Sequence, residues 1–79
     1  MVKIIVNLNN VKRAISFCDA CCSLSFDIDI FSGHNTVDAK SIMGLFALDL
    51  SKDLTVVANI DKNSKDEDLF TEKMKPYIV

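Results

Sequence analysis

Apolar side chains recur at every second residue near the start of the chain and then change period. From Lys3 to Leu8, Ile4, Val6 and Leu8 alternate with Lys3, Ile5 and Asn7, the period of two that predicts a strand. Asn9-Asn10 interrupts it. From Val11 to Leu24 the positions Val11, Ala14, Ile15, Cys18, Cys21 and Cys22 fall at spacings of three and four. This predicts an amphipathic helix capped by Asn10, with those six residues on the side that meets a sheet.

The second half repeats the alternation of periods. Phe26-Asp27-Ile28-Asp29-Ile30 predicts a strand with an apolar face and two outward carboxylates, and Leu54, Val56, Ala58 and Ile60 predict another. Ser32-Gly33-His34-Asn35 is a turn signal, with Thr36-Val37-Asp38 returning as the second arm of a hairpin. Helical spacing runs from Ala39 to Leu50, with Ser41 near its start. Asp61-Lys62-Asn63 turns the chain once more. Ser64 and Glu67 have the spacing of a capping box, followed by Leu69, Phe70, Met74 and Tyr77 on one face, until Pro76 ends or distorts the helix. The order is β-α-β-β-α-β-α, without linker, repeat or low-complexity tract. One sheet with its helices on one face buries all of these stripes, and a ferredoxin-like or similar split α/β fold also satisfies the order.

Composition narrows the function classes. With 79 residues there is room for one domain spanning 1–79 and one core. A chain of this size buries roughly 60% of the surface that its unfolded form exposes. That leaves no room for a deep substrate pocket beside the core, so an interaction module is expected rather than an enzyme. A net charge of -2, with lysines and acids interspersed, gives no basic stripe for nucleic acid. No apolar run is long enough to span a membrane, and no signal-peptide core follows Met1. Three cysteines, an odd number, argue against a disulfide scaffold and for a reducing cytoplasm.

Thr36-Val37-Asp38-Ala39-Lys40-Ser41-Ile42-Met43-Gly44-Leu45-Phe46-Ala47-Leu48 resembles the segment of the HPr phosphocarrier family that carries its regulatory serine and the helix after it. Extending that register without gaps covers nearly the whole chain. The resemblance implies an α+β open-faced β-sandwich, a four-stranded antiparallel sheet with three helices on one face. It places Leu8 to Ala14 on the family's active-site loop, which reads histidine followed by Ala-Arg-Pro-Ala. Here Asn10 stands at the histidine, Lys12 at the arginine and Arg13 at the proline. A side-chain amide is not the nucleophile that an imidazole nitrogen is, so no catalytic residue is expected. Asn10, Lys12 and Arg13 remain as a helix N-terminus that favours an anion.

Ser41 is the candidate phosphorylation site. Its hydroxyl is placed to cap free backbone N–H groups, and the resemblance adds a dedicated HPr-type serine kinase and a part in catabolite regulation. Asp49 and Asp53 stand where the family usually has glycines. Ile42, Met43, Phe46 and Leu50 are expected outside, as an apolar patch for a kinase, a transcriptional regulator or a phosphotransferase-system component. Cys18, Cys21 and Cys22 converge on one helical face as buried, metal-free side chains, with Asp27 and Asp29 as a solvated face and His34 as a turn residue. The leading expectation is a non-catalytic regulatory or adaptor protein, a monomer or weak homodimer with no cofactor. A functional phosphocarrier of the sugar phosphotransferase system and a cysteine-based metal or redox protein are the alternatives.

Overall fold

The computed structural model describes residues 1–79. Strands β1 (Val2–Val6), β2 (Ile28–Ser32), β3 (Asn35–Asp38) and β4 (Leu54–Ala58) form one sheet in the order β1-β4-β2-β3. Every pairing is antiparallel. Helices α1 (Val11–Cys22), α2 (Ile42–Phe46) and α3 (Lys65–Met74) cover one face, and a 3-10 turn (Lys75–Tyr77) follows α3.

The period of two decides which side of each strand is covered. Ile28, Ile30, Leu54, Val56 and Ala58 are buried against the helices, together with Val2 and Val6 of β1. The register then stacks Lys3, Val57, Asp29 and Asp38 in one row on the other face, and Ile5, Thr55, Phe31 and Thr36 in the next. Phe26 and Asp27 precede β2 rather than belonging to it. Phe26 is half-buried, with its ring edge-on to Phe70 at 6.1 Å, and Asp27 contributes a carbonyl to the Asn59 N–H. The 20 buried residues are apolar apart from the Tyr77 hydroxyl, which is hydrogen-bonded, so no buried side-chain oxygen or nitrogen is left without a partner.

Both long helices start where the sequence predicts. Asn10 Oδ1 accepts from the Arg13 N–H at 2.9 Å. Ser64 Oγ accepts from the Glu67 N–H at 3.2 Å, while the Glu67 carboxylate accepts from Asn63 at 2.7 Å. This last bond reaches one residue further back than the usual capping box. Pro76 lies in the 3-10 turn that ends α3.

Two expectations are corrected. Around α1 the buried residues are Ala14, Phe17, Cys18 and Cys21, and Val11, Ile15 and Cys22 are exposed. The large ring of Phe17 pulls the covered stripe toward itself, and it packs edge-on to Tyr77 at 5.4 Å. The second helix is also much shorter than 39–50. It runs five residues, because the chain must bend after Ala47 to bring the Leu50 carbonyl under the Asn9 N–H at 2.8 Å.

Candidate functional site

Two helix starts hold the residues that the sequence singles out. At the first, β1 ends and Leu8 is buried, which fixes the loop from below. Asn9 adopts φ 67°, a left-handed conformation that asparagine tolerates better than most residues. This turn sets Asn10 at the head of α1 with extended backbone and its amide oxygen on the Arg13 N–H. The amide therefore acts as a helix cap. Lys12 beside it is exposed.

Arg13 does not join an anion site there. Its Nη2 donates to the Asn7 carbonyl at 3.1 Å and to the Pro76 carbonyl at 2.9 Å, and the guanidinium lies 5.2 Å from the centre of the Tyr77 ring. The Tyr77 hydroxyl in turn shares a hydrogen bond with Ser16. The planar fork suits a pair of carbonyls and an aromatic face together, and it fastens the segment after α3 to the base of α1. Asn7 completes this corner by donating to the Asp53 carboxylate at 3.0 Å. Asp49 accepts from both the hydroxyl and the N–H of Ser51, and these bonds hold its carboxyl below the ordinary range.

Ser41 begins α2. It is exposed, and its Oγ accepts from the Gly44 N–H at 3.3 Å, a long cap bond. Gly44 packs closely against its neighbours. A Cβ there would stand 3.3 Å from Val37 Cβ and 3.5 Å from Ser41 Oγ, so α2 sits tightly on β3. Of the expected patch, Met43 and Phe46 are exposed, at 76% and 44%, whereas Ile42 and Leu50 are half-buried against the core. Ile42 points partly inward because a helix this short has its first turn pressed to the sheet, and Leu50 lies in the bend that meets Asn9.

α1 and α2 pack side by side and leave a groove of about 470 Å³. Ile15, Cys18, Cys22, Lys40, Ile42 and Phe46 line it with Asp19. Spacing alone assigns Ile15 to the buried face, and only the position of Phe17 reveals that it faces outward. Cys22 Sγ contacts the Lys40 carbonyl at 3.6 Å, so the last residue of α1 meets the start of α2.

The three thiols divide. Cys18 and Cys21 are buried, whereas Cys22 is exposed, against the expectation that all three are covered. Burial pushes the Cys18 thiol up to about 11 and the Cys21 thiol up to about 12. No three His, Cys, Asp or Glu residues come together in a metal-holding arrangement. His34, the one histidine, is exposed in the turn between β2 and β3, where Gly33 takes φ 60°. No helix is long and apolar enough to cross a membrane.

A four-stranded antiparallel sheet with three helices in this order is the fold of the histidine-containing phosphocarriers, as solved structures show. HPr-C-His from Thermoanaerobacter tengcongensis matches with a TM-score of 0.72 and 21% identity over 95% of this chain and 92% of that one. A phosphocarrier protein HPr from Bacillus anthracis matches with 0.69 and 23% identity over 96% and 95%. The histidine-containing phosphocarrier protein of a Mycoplasma matches with 0.69 and 16% identity over 95% and 93%. The family model PTS-HPr, described as the PTS HPr component phosphorylation site, matches residues 10–78, and the chain belongs to that family. No curated protein sequence matches the chain.

Proposed function

We propose that this member of the PTS-HPr family is a non-catalytic regulatory or adaptor protein, acting through Ser41 and the α1–α2 groove. The observation that carries this reading is the state of Asn10. Its amide oxygen is occupied by the Arg13 N–H, at the position where the resemblance places the phosphoryl-accepting histidine. An amide cannot take up a phosphoryl group as an imidazole does. Arg13, which could have helped Lys12 hold an anion, is bound to two carbonyls and an aromatic ring instead.

Ser41 offers what the other helix start lacks, an exposed hydroxyl in a long cap bond. Transfer from ATP by an HPr-type serine kinase would join the γ-phosphorus to Oγ, expel ADP and release the hydroxyl proton. The product would face the first N–H groups of α2, while the nearby Asp38 carboxylate, bound to the Lys40 N–H at 2.9 Å, opposes the added charge. With only five residues in α2 the helix contributes little field, so the modified protein should be about as stable as the unmodified one. Met43 and Phe46 beside it supply apolar surface for the kinase, a transcriptional regulator or a phosphotransferase-system component.

Two incubations test this. With phosphoenolpyruvate and the first enzyme of the phosphotransferase system, the chain should take no label. Acid-labile phosphate on His34 would restore the phosphocarrier reading. With purified HPr-type serine kinase and ATP, the native chain should be labelled, and neither Ser41→Ala nor Met43→Glu should be. Equal labelling of Ser41→Ala removes the regulatory role from that residue.

A further inference from the structure

The face of the sheet away from the helices carries an arrangement that the helix-side function does not use. Ile5 and Phe31 are 41% and 40% exposed there, with Val57 half-buried between them. Lys3, Asp29, Phe31 and Val57 line a shallow depression of about 510 Å³, with Lys62 and Glu67 at its rim. The charges on this face are sorted by strand. Lys3 lies on β1 at one edge and Asp38 on β3 at the other, with Asp29 directly opposite Asp38 on the interior strand β2, all in the same row. Like charges opposed across a ladder destabilise a sheet. Neither carboxylate is in an ion pair within the chain, where the one salt bridge joins Lys75 to Glu72.

We propose that this face is a homodimer interface, in which two copies pack sheet to sheet about a twofold axis parallel to the strands. That rotation reverses the order of strands across the contact and keeps each row opposite itself. β1 of one copy then lies over β3 of the other, so each Lys3 stands over the other copy's Asp38 and reaches its Asp29 diagonally, one strand away, twice per dimer. β4 likewise lies over β2, so Val57 packs over the other copy's Asp29, and in the next row Ile5 and Phe31 lie over its Thr36 and Thr55. Self-complementarity of this kind is what an isologous contact demands. The sheet edges are a poorer route to a dimer. The free edge of β1 is partly taken by the end of the chain, where the Val79 N–H donates to the Ile5 carbonyl and Ile78 bridges to Val6. β3 offers only four residues.

Four strands about 4.8 Å apart and about 17 Å long present roughly 320 Å² per copy. The contact therefore totals roughly 650 Å², well below the ~1,200 Å² of a stable complex. The dimer should be weak, appearing at about 0.1–1 mM protein and fading at high salt, which screens exposed charges.

Sedimentation equilibrium on charge variants is the test. Lys3→Glu or Asp29→Lys alone should weaken self-association by about tenfold or more, because each places like charges together at both contacts. An equimolar mixture of the two variants should associate again. In the mixed dimer the glutamate introduced in one copy faces the lysine introduced in the other, and the remaining contact pairs the native Lys3 with the native Asp29. Phe31→Glu should leave a monomer. The proposal is overturned if the native chain stays monomeric at about 1 mM and low salt, or if the mixture associates no better than its components. Loss of the dimer in Met43→Glu but not in Phe31→Glu would also overturn it, by placing the contact on the helix side.

Discussion

Asn10 and Ser41 do the same local chemistry at the starts of α1 and α2, yet their surroundings differ. Asn10 caps a helix of 12 residues that buries four side chains, and the next turn is fastened by Arg13 to both ends of the chain. Ser41 caps a helix of five residues that buries Leu45 alone, through a cap bond 0.4 Å longer, at 3.3 Å against 2.9 Å. A cap that anchors a tertiary corner cannot be exchanged without disturbing the fold. A cap on a short exposed turn can be modified, because little else depends on it. In this chain the first helix start is tied into the fold through Arg13, and the second carries the exposed hydroxyl on which the proposed regulation rests.

The contrast is broken most severely by removing what anchors α1. Phe17→Ala deletes a ring with no exposure that packs against Tyr77, and should cost about 3–5 kcal/mol in urea unfolding. A loss under about 1 kcal/mol would mean that α1 is held no better than α2. Arg13→Ala comes next, at about 1.5–3 kcal/mol for its charge-assisted bonds. Hydrogen exchange should show the Asn7 and Val79 amides losing protection first, whereas Met43→Ala leaves them unchanged.

The thiols sharpen the comparison through pH. Cys18 and Cys21 have folded-state values raised above 9, to about 11 and about 12, so their burial favours the protonated form. Stability from this source is fully present below pH 9 and is lost as pH rises toward 11–12, because the unfolded thiols ionise first. The slope approaches about 1.4 kcal/mol per pH unit for each thiol, and Cys21→Ala should flatten it. Ellman's reagent should titrate one thiol, Cys22, in the native protein and the other two only after unfolding. The smallest effect is expected at the second helix start, where Ser41→Ala should cost about 0.5–1 kcal/mol. A cost above about 2 kcal/mol would make Ser41 as structural as Asn10.

Local signals are readable wherever neighbours along the chain decide the outcome. The alternation at Ile28–Ile30 and Leu54–Ala58, the caps at Asn10, Ser41 and Ser64, and the turn at Gly33 are all visible as residue types at fixed spacing. What spacing misreads depends on distant partners. Val11 and Ile15 also fall at spacings of three and four, but the buried stripe is Ala14, Phe17, Cys18 and Cys21, at i, i+3, i+4 and i+7, and leaving Phe17 out of it misplaces the covered face. Leu48 and Leu50 continue the helical period, but the Asn9–Leu50 hydrogen bond ends the helix before them. Of the candidate site, the exposed Ser41 hydroxyl follows from the sequence. The binding of Arg13 to Pro76 does not, because the two are 63 residues apart.

The strand order β1-β4-β2-β3 places the fourth strand between the first and second. During synthesis, Val2–Val6 therefore leaves the ribosome with no strand to pair with until Leu54–Ala58 follows, an interval of about 3–10 seconds at roughly 5–20 residues per second. Until it closes, the only pairing available to the sheet is the β2–β3 hairpin, and a two-stranded hairpin alone is barely stable in water. A ribosome stalled before Leu54 should therefore hold an unfolded chain, whose exposed Ile4, Val6 and Leu8 make it a target for chaperones and proteases.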